Sequence, residues 1–537
     1  MDKASLYEQV LSLGLEPPRP KVRASGGVVL WRRHGDALEV YWVERSRRLA
    51  FMGGFHAFPG GGRSHKDADL PIGGAPAGIA GSPLEAGMEA GVLDGVELEP
   101  IAAPGILACV IRELFEETGV LLAESAESVD PERLDITRRI SLERGSDFRQ
   151  VWKALRDRTG TSLELDASEL VYAGRWLTPP LGPLRFDNRF FLLEWPTERR
   201  QQPSVIPGEL ASGEWVRPEK AYARWLRGEV VTAPPILHIL RVLAEDGPEA
   251  GLPRLREPTE ANLGPFRRIE FRPGVLMFPL RTPTLPPAAF TNTYVLGTEE
   301  VVVVDPGSPF DEAIDGLIAA LADLRERDGR EPCAIWLTHH HPDHIGGVER
   351  LRSELGLPVA AHAETAGRLR DAGIDVEREL VDGERVVLGG MPPFPVRIFH
   401  TPGHARGHLA FLDETGGSLL GGDLTAGVGT IVVDPPEGDM DDYLHSLERM
   451  RDLGARTLFP AHGPPTVSVA EKLTEYVEHR LWREEKILDA WDEGIQEQEI
   501  LVQVVYDDVP PQALPLAARQ LSAHLVRLRR LGLIESG

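Results

Sequence analysis

Around residue 340 the chain reads LTHHHPDHIGG, which sets His339, His341, Asp343 and His344 within six residues, directly after the apolar run Ile335, Trp336, Leu337. Imidazole nitrogens and carboxylate oxygens at this density suit borderline divalent metals, zinc above all. Three groups of the same type follow: His404 in FHTPGHARGH, Asp423 in SLLGGDLTAG and His462 in LFPAHGPP. Each stands after a strand-like apolar run and beside glycine or proline. The ligands are therefore expected on loops at one sheet edge, where a rigid scaffold can aim them at a shared point. Taken singly, each histidine reads as a surface or capping residue and Asp343 as a helix N-cap. Their concentration argues for metal. His340 reads as a bystander between ligands, and His408 as a structural group or one that supports the ligands from behind.

A second constellation lies in ACVIRELFEETGVLL, where Glu113, Glu116 and Glu117 are spaced i, i+3, i+4. At about 100° per residue they share one helix face, roughly 130° from the centre of the stripe Leu107, Val110, Ile111, Leu114, Thr118. Three like charges within one turn repel, and a hard divalent cation, magnesium or manganese, is the natural compensation. A solvated acidic face is the alternative. Glu209 and Glu214 downstream read as surface residues. Near the C-terminal end, Arg519, Arg527, Arg529 and Arg530 form the one plausible basic patch. They would supply phosphate contacts to a nucleic acid, or form the charged outer face of a helix that packs its Leu521, Leu525, Leu528 side inward.

These side chains need elements to hold them. Alternating apolar stretches and turns over 23–58 predict antiparallel strands ending at Gly60, Gly61 and Gly62. A Gly/Ala/Pro-rich insertion at about 64–105, with at most a short helix, precedes the carboxylate helix, which Gly119 stops. Strands are expected at Val171–Leu177 and Arg189–Trp195. The stretch 246–264, rich in Gly, Pro and charge, reads as a linker closing a first domain of 1–245. From 265 to 466, strands such as Asn292–Leu296 and Val301–Val304 alternate with helices near Asp311–Arg325 and from Asp343 onward, an α/β layered pattern. Three helices after Val469 predict a small helical or winged-helix module over 467–537.

At 537 residues the chain holds two to four domains of roughly 150 residues each. Its 42% hydrophobic and 26% charged content excludes fibrous, collagenous and wholly disordered classes. No apolar run approaches the roughly 20 residues that a membrane span needs. The opening residues lack a secretory pattern, and Cys109 and Cys333 are too few for a disulfide framework, so a cytoplasmic location is expected. A net charge of −25 opposes extended polyanions unless a local basic patch overrides it.

The run His339-His340-His341-Pro342-Asp343-His344 resembles HxHxDH, the hallmark of the metallo-β-lactamase superfamily. The resemblance covers about 265–537 and implies an αββα sandwich with two zinc ions. One would be held by His339, His341 and His404, the other by Asp343, His344 and His462, with Asp423 bridging and Asp305, in VVVVDPG, behind them. It also implies a water activated between the metals as the nucleophile. Within the superfamily, VEHRLWREEKILDAWDEG and AARQLSAHLVRLRRLGLIE are similar to the β-lactamase-like endoribonucleases with a C-terminal winged helix. That likeness implies phosphodiester hydrolysis of short single-stranded RNA. Thioester hydrolases share the superfamily, which leaves an acyl-thioester open as the alternative.

Arg-Glu-Leu-Phe-Glu-Glu-Thr-Gly-Val resembles the core of the Nudix box, REUxEExGU, with U an aliphatic residue. It implies an α/β/α fold and cleavage of a small-molecule diphosphate. Glu113, Glu116 and Glu117 would hold magnesium or manganese, one of them doubling as base, and Arg112 would orient them. RRLAFMGGFHAFPGG and WLTPPLGPLRFDNRFFLLEWP make this region similar to the coenzyme A diphosphatase type. The box departs from the family pattern in one respect: Pro104 stands eight residues before Arg112, with the glycines beyond the insertion. A platform that binds nucleotides without cleaving them is the alternative. The whole reads as an α/β multidomain metallohydrolase with two heads.

Overall fold

The computed structural model describes residues 21–74, 91–93, 96–98, 100, 102–144, 148–159, 164–371 and 373–535. The opening segment through Pro20, and residues 75–90 of the expected insertion, lie outside the described residues. Elsewhere in that insertion stand a short 3-10 helix, His65–Asp69, closed by a Ser64 capping box, and three-residue strands at Ile72–Gly74, Gly91–Leu93 and Val96–Leu98.

A mixed sheet runs in the order Leu210–Val216, Ala37–Arg45, Lys21–His34, Leu184–Glu194, Val171–Leu177. The two longest of these strands, Lys21–His34 and Leu184–Glu194, are parallel. Because side chains alternate along a strand, Val28 and Leu30 face the helix Ala103–Thr118 and pack with its Ile106, Val110 and Leu114. Val29 and Trp31 face the other way, onto the helices Pro218–Leu226 and Pro234–Glu245. Both faces of the sheet are covered, so it is a three-layer unit. The expected carboxylate helix ends at Gly119, whose φ of 79° only glycine adopts readily.

The stretch 246–264, expected as a linker, is built and packed. It carries the helices Gly247–Ala250 and Leu252–Arg256 and a 3-10 turn at Thr259–Ala261. Leu255 is buried in the core of the first unit, and Arg256 Nε donates to Tyr172 O at 3.0 Å. A count of Gly, Pro and charge overlooks the leucines that anchor the segment. Beyond it the strand Glu270–Arg272 acts as a joint. Trp225 Nε1 of the first unit donates to Phe271 O at 2.9 Å, Arg272 Nη1 donates to Val230 O at 3.2 Å, and the rings of Phe55 and Phe271 meet edge-on at 5.7 Å.

Two sheets then face each other. One runs Glu270–Arg272, Val275–Arg281, Phe290–Gly297, Glu300–Val304, Glu331–Trp336, Val359–Ala361, Arg378–Glu379. Its partner runs Arg385–Leu388, Phe394–His400, Leu409–Asp413, Ser418–Gly422, Thr457–Pro460. Tyr294, Val302, Val304 and Trp336 meet Val396, Ile398, Phe411 and Phe459 between them. Helices Asp311–Asp328 and Val348–Leu355 cover one outer face, and Met440–Arg451 and Val469–Asp492 the other. The last helices, Gln498–Val505 and Leu514–Arg530, pack with the end of Val469–Asp492 through Leu501, Val505, Leu521, Leu525 and Leu528. Among the described residues no helix is long and apolar enough to cross a membrane.

Candidate functional site

Four strand ends on one side of the two facing sheets bring the histidines and aspartates together. Glu331–Trp336 leads to His339, His341, Asp343 and His344; Phe394–His400 leads to His404; Ser418–Gly422 leads to Asp423; Thr457–Pro460 leads to His462. His339 Nε2 and His404 Nε2 lie 2.7 and 2.9 Å from His341 Nδ1, and His404 Nε2 lies 3.3 Å from Asp423 Oδ2. Ligand atoms of these four residues fall within 4.8 Å of one another, as do those of Asp343, His344 and His462. The other oxygen, Asp423 Oδ1, stands 3.6 Å from His344 Nε2 and 3.5 Å from His462 Nε2. Asp423 therefore turns one oxygen to each group, and all seven expected ligands converge.

The backs of the rings are held. His404 Nδ1 meets Val432 O at 2.7 Å and His462 Nδ1 meets Phe290 O at 3.0 Å, so each donates there and leaves Nε2 a free lone pair. His344 Nδ1 lies 2.8 Å from Asp305 Oδ2. Asp305 also accepts from Thr338 N and Thr338 Oγ1, at 2.8 and 2.6 Å, and sits at φ 50° at its strand end. An aspartate tolerates that left-handed conformation, and the strain fits a residue pinned by its site. His408 Nε2 accepts the Asp423 N–H at 3.0 Å, and burial pulls its pKa down to about 3, which keeps it the neutral acceptor this bond needs.

Buried charge shows what the centre would hold. Burial, and then the neighbouring imidazoles, push His339 well below the usual histidine range. Burial also opposes charge on His344, yet Asp305, Asp423 and Asp343 raise its pKa to about 10. His344 Nε2 and Asp423 Oδ1 are buried and have no hydrogen-bond partner among the described residues. Such orphaned ligand atoms, on a set of imidazoles and carboxylates, fit divalent ions.

Thr338 and Glu437 escaped the sequence reading. Glu437 Oε1 lies 2.9 Å from His340 Nε2 and 3.8 Å from His341 Nε2, which makes His340 a partner of that carboxylate. Nothing in DPPEGDM marks it, whereas Thr338 could have been suspected from its place between the strand and the ligands.

The carboxylate helix is arranged differently. Arg112 Nη1 donates to Glu113 Oε1 at 2.7 Å and to Glu116 Oε2 at 2.9 Å, while its Nε pairs with Asp67 at 2.8 Å. Glu117 Oε2 instead accepts the Gly60 N–H at 2.7 Å. The three share a helix side as expected, but they are not among the described sets whose ligand atoms fall within 4.8 Å. Arg112 stands between two of them and already supplies a positive charge. Burial, with added repulsion from Glu116, pushes Glu113 up to about 7, and burial also raises Glu116 and Glu117. A Cβ on Gly61 would sit 2.6 Å from the Glu113 carboxyl, so the glycine strand and this carboxylate are in close contact. Glu117 and Gly60–Gly62 line a cavity of about 480 Å³, and Glu209, an exposed residue as expected, stands at it too.

The expected basic patch is not open. Arg519 pairs with Asp434 at 2.7 Å, Arg527 with Asp441 at 2.6 Å and also with Glu484, and Arg530 with Asp439 at 2.6 Å. Arg529 is half-buried on the same helix. Arg519, Arg527 and Arg530 tie the last helix to the segment 434–441, Arg527 reaching Glu484 as well, and Arg530 does so with its side chain 53% exposed.

Comparison with known proteins agrees with the geometry. A family model described as "Metallo-beta-lactamase superfamily" matches residues 286–462, and one described as "Beta-lactamase associated winged helix domain" matches 498–537. A Caenorhabditis elegans protein named "Beta-lactamase-like protein 2 homolog" is 32% identical over 250 residues, covering 46% of this chain and 81% of the relative. An Aspergillus chevalieri protein named "Atrochrysone carboxyl ACP thioesterase" is 32% identical over 232 residues, covering 41% and 69%. A solved NUDIX hydrolase from Alicyclobacillus acidocaldarius aligns over 42% of this chain and 92% of its own at 26% identity, with a TM-score of 0.33, too low to argue from. Seven converging ligands, the two facing sheets and these relatives lead to one conclusion: the chain belongs to the metallo-beta-lactamase superfamily.

Proposed function

We propose that the histidine and aspartate centre hydrolyses an acyl thioester with two divalent ions, zinc being the reading its imidazole-rich donor set favours, and that the carboxylate helix serves a magnesium- or manganese-assisted diphosphate hydrolase of the Nudix type. The observation that carries the thioester reading is the pairing of Arg519, Arg527 and Arg530 with Asp434, Asp441, Glu484 and Asp439. It takes up three of the four arginines expected to make the phosphate contacts that short single-stranded RNA needs. The thioesterase name carried by one relative supports the same direction.

His339, His341 and His404 would hold one ion, Asp343, His344 and His462 the other, and Asp423 would touch both. Ions held there would supply an acidified water and a polarised substrate carbonyl. The protein's part is positioning. Val432 O, Phe290 O and Asp305 fix which ring nitrogens face the centre. The cavity beside it, about 90 Å³, is lined by Leu285, Ala288, Ile431 and Val432 as well as the ligands, apolar walls that suit an acyl group. Asp343, with its side chain 15% exposed against 10% for Asp423, is the more open carboxylate. It is placed to take a proton from the attacking water and return it to the departing sulfur.

At the helix, Glu113, Glu116 and Glu117 fit a hard cation by chemistry: three carboxylates disfavoured by burial, two of them sharing one guanidinium. Such a cation neutralises diphosphate oxygens.

The resemblance of the C-terminal segment to the β-lactamase-like endoribonucleases, on residues that match a winged-helix model, keeps a second reading, RNA cleavage. A hydrolysis panel of a short acyl thioester, a single-stranded oligoribonucleotide and coenzyme A, with Zn²⁺ and Mg²⁺ varied independently, decides between them. Zinc-dependent thioester turnover with RNA intact is expected. RNA cleavage at low salt with the thioester untouched would transfer the centre to the endoribonuclease reading.

A further inference from the structure

The large cavity beside the carboxylate helix is not enclosed by the first unit alone. Phe51 and Phe186 come from that unit, but Arg267, Phe271, Val428 and Pro464 come from the metallo-beta-lactamase unit. Val428 also lines the small cavity at the metal centre, beside Gly429, Asp423 and His462. One side chain is thus common to both walls. Its loop is fixed from the metal side, where Gly427 N donates to His462 O at 2.7 Å, and it is approached from the other side by Gly182, where an added Cβ would lie 3.5 Å from Val428 Cγ2.

We propose that the two cavities are the two ends of one chamber joined at Val428, and that its substrate carries an acyl thioester at one end and a nucleoside diphosphate at the other, the coenzyme A class of thioester. This rests on the functional reading above and names a single substrate for both heads. About 480 Å³ is the size of pocket that holds a cofactor-sized ligand, whereas the apolar walls around about 90 Å³ suit an acyl end. The two linings differ as such a substrate requires. Glu117 and Glu209 line the larger cavity with Phe51 and Phe186, whose rings are 6.0 Å apart, and His341, His404 and His462 line the smaller one, with Val428 in both.

Both steps consume only water. At one end its oxygen bonds to the acyl carbon, the C–S bond breaks, and the sulfur leaves as a thiol with a proton, giving a carboxylic acid. At the other end oxygen bonds to one phosphorus, the P–O bond of the bridge breaks, and two phosphate monoesters form. The thiol released by the first step still carries the diphosphate that the second step cleaves, so the product of one head is a substrate of the other.

The test uses the metal-loaded full chain and a probe that neither head can cleave: an S-butyl coenzyme A thioether with a methylene group in place of the bridging diphosphate oxygen. Calorimetric titration should give one probe per chain, bound at least tenfold tighter than S-butyl pantetheine or the methylene analogue of adenosine diphosphate, because one molecule engages both ends. Val428→Trp, which fills the joint, should abolish that advantage, and Val428→Ala should keep it. Two probes per chain, or a whole probe no tighter than its halves, overturns the joined chamber. Those two measurements on the unmodified chain decide even where Val428→Trp fails to fold. One probe per chain with no turnover of any short thioester would leave the chamber standing and overturn the thioester assignment on which the substrate class rests.

Discussion

The carboxylates of Glu113, Glu116 and Glu117 come from a single turn of one helix, whereas the seven ligands, Asp423 among them, come from four strand ends spread over more than 120 residues of sequence, His339 to His462. Contrary to what locality suggests, the dispersed set converges more tightly. A helix fixes where its Cβ atoms lie but leaves long glutamates free to choose partners: Glu113 and Glu116 share Arg112 Nη1, while Glu117 turns to the Gly60 N–H. Strand ends in a packed sandwich hold short, buried histidines whose rings are locked from behind by Thr338, Val432, Phe290 and Asp305. Convergence follows the stiffness of the support and the shortness of the side chain, not proximity in sequence.

The largest effect that can break this comparison is at Asp423. Asp423→Asn removes the charge shared by both groups, so bound metal per chain should fall, and hydrolysis at this centre should drop roughly a thousandfold, about 4 kcal/mol of transition-state stabilisation. Elemental analysis together with initial rates measures it. Unchanged metal content would show that the convergence has no chemical consequence.

Next comes the joint on which both regions depend. Burial opposes the charge of Glu270, yet Arg330 and Arg268 hold its carboxyl down at about 2 from the ordinary 4.5, with contacts of 2.9 and 2.7 Å. A carboxylate whose pKa is lower in the folded state adds stability that is fully present above about 4.5 and is lost as pH falls towards 2. At 1.36 kcal/mol per pH unit this is about 3 kcal/mol. Thermal melts from pH 6 to pH 2.5 should therefore lose part of their acid-side slope in Glu270→Gln, which should also be less stable at pH 6. A variant with the same slope as the parent would remove this pair from the account of the joint.

A smaller effect is expected at the helix. Glu116→Gln should lower magnesium-dependent diphosphate release roughly 100-fold and leave metal bound at the histidine centre unchanged. Loss of that metal as well would mean that the two ligand sets are not separate.

The smallest effect is the most discriminating for substrate. Arg530 is 53% exposed and paired with Asp439, so Arg530→Glu should change hydrolysis less than about twofold and stability by less than about 1 kcal/mol. A steep salt dependence of turnover that this substitution flattens would restore the arginines as phosphate contacts.

What the sequence carried by itself was chemistry tied to local periodicity. The seven ligand-type residues and the helix ending at Gly119 could be read because metal donors, strand ends and a glycine cap leave short-range patterns, whereas Asp305 came only from the family resemblance. Residues whose roles depend on distant partners left no such pattern. Glu437 reaches His340 across 97 positions, the arginines of the last helix meet acids 43 to 91 positions away, and Leu255 anchors what reads as a linker. Tertiary structure alone decided that Glu117 turns to Gly60 while Glu113 and Glu116 share Arg112, and that Val428 lines two cavities. Both are outcomes of packing, in which burial forces a charge to take whichever partner the fold brings within about 3 Å, and sequence spacing does not encode that distance.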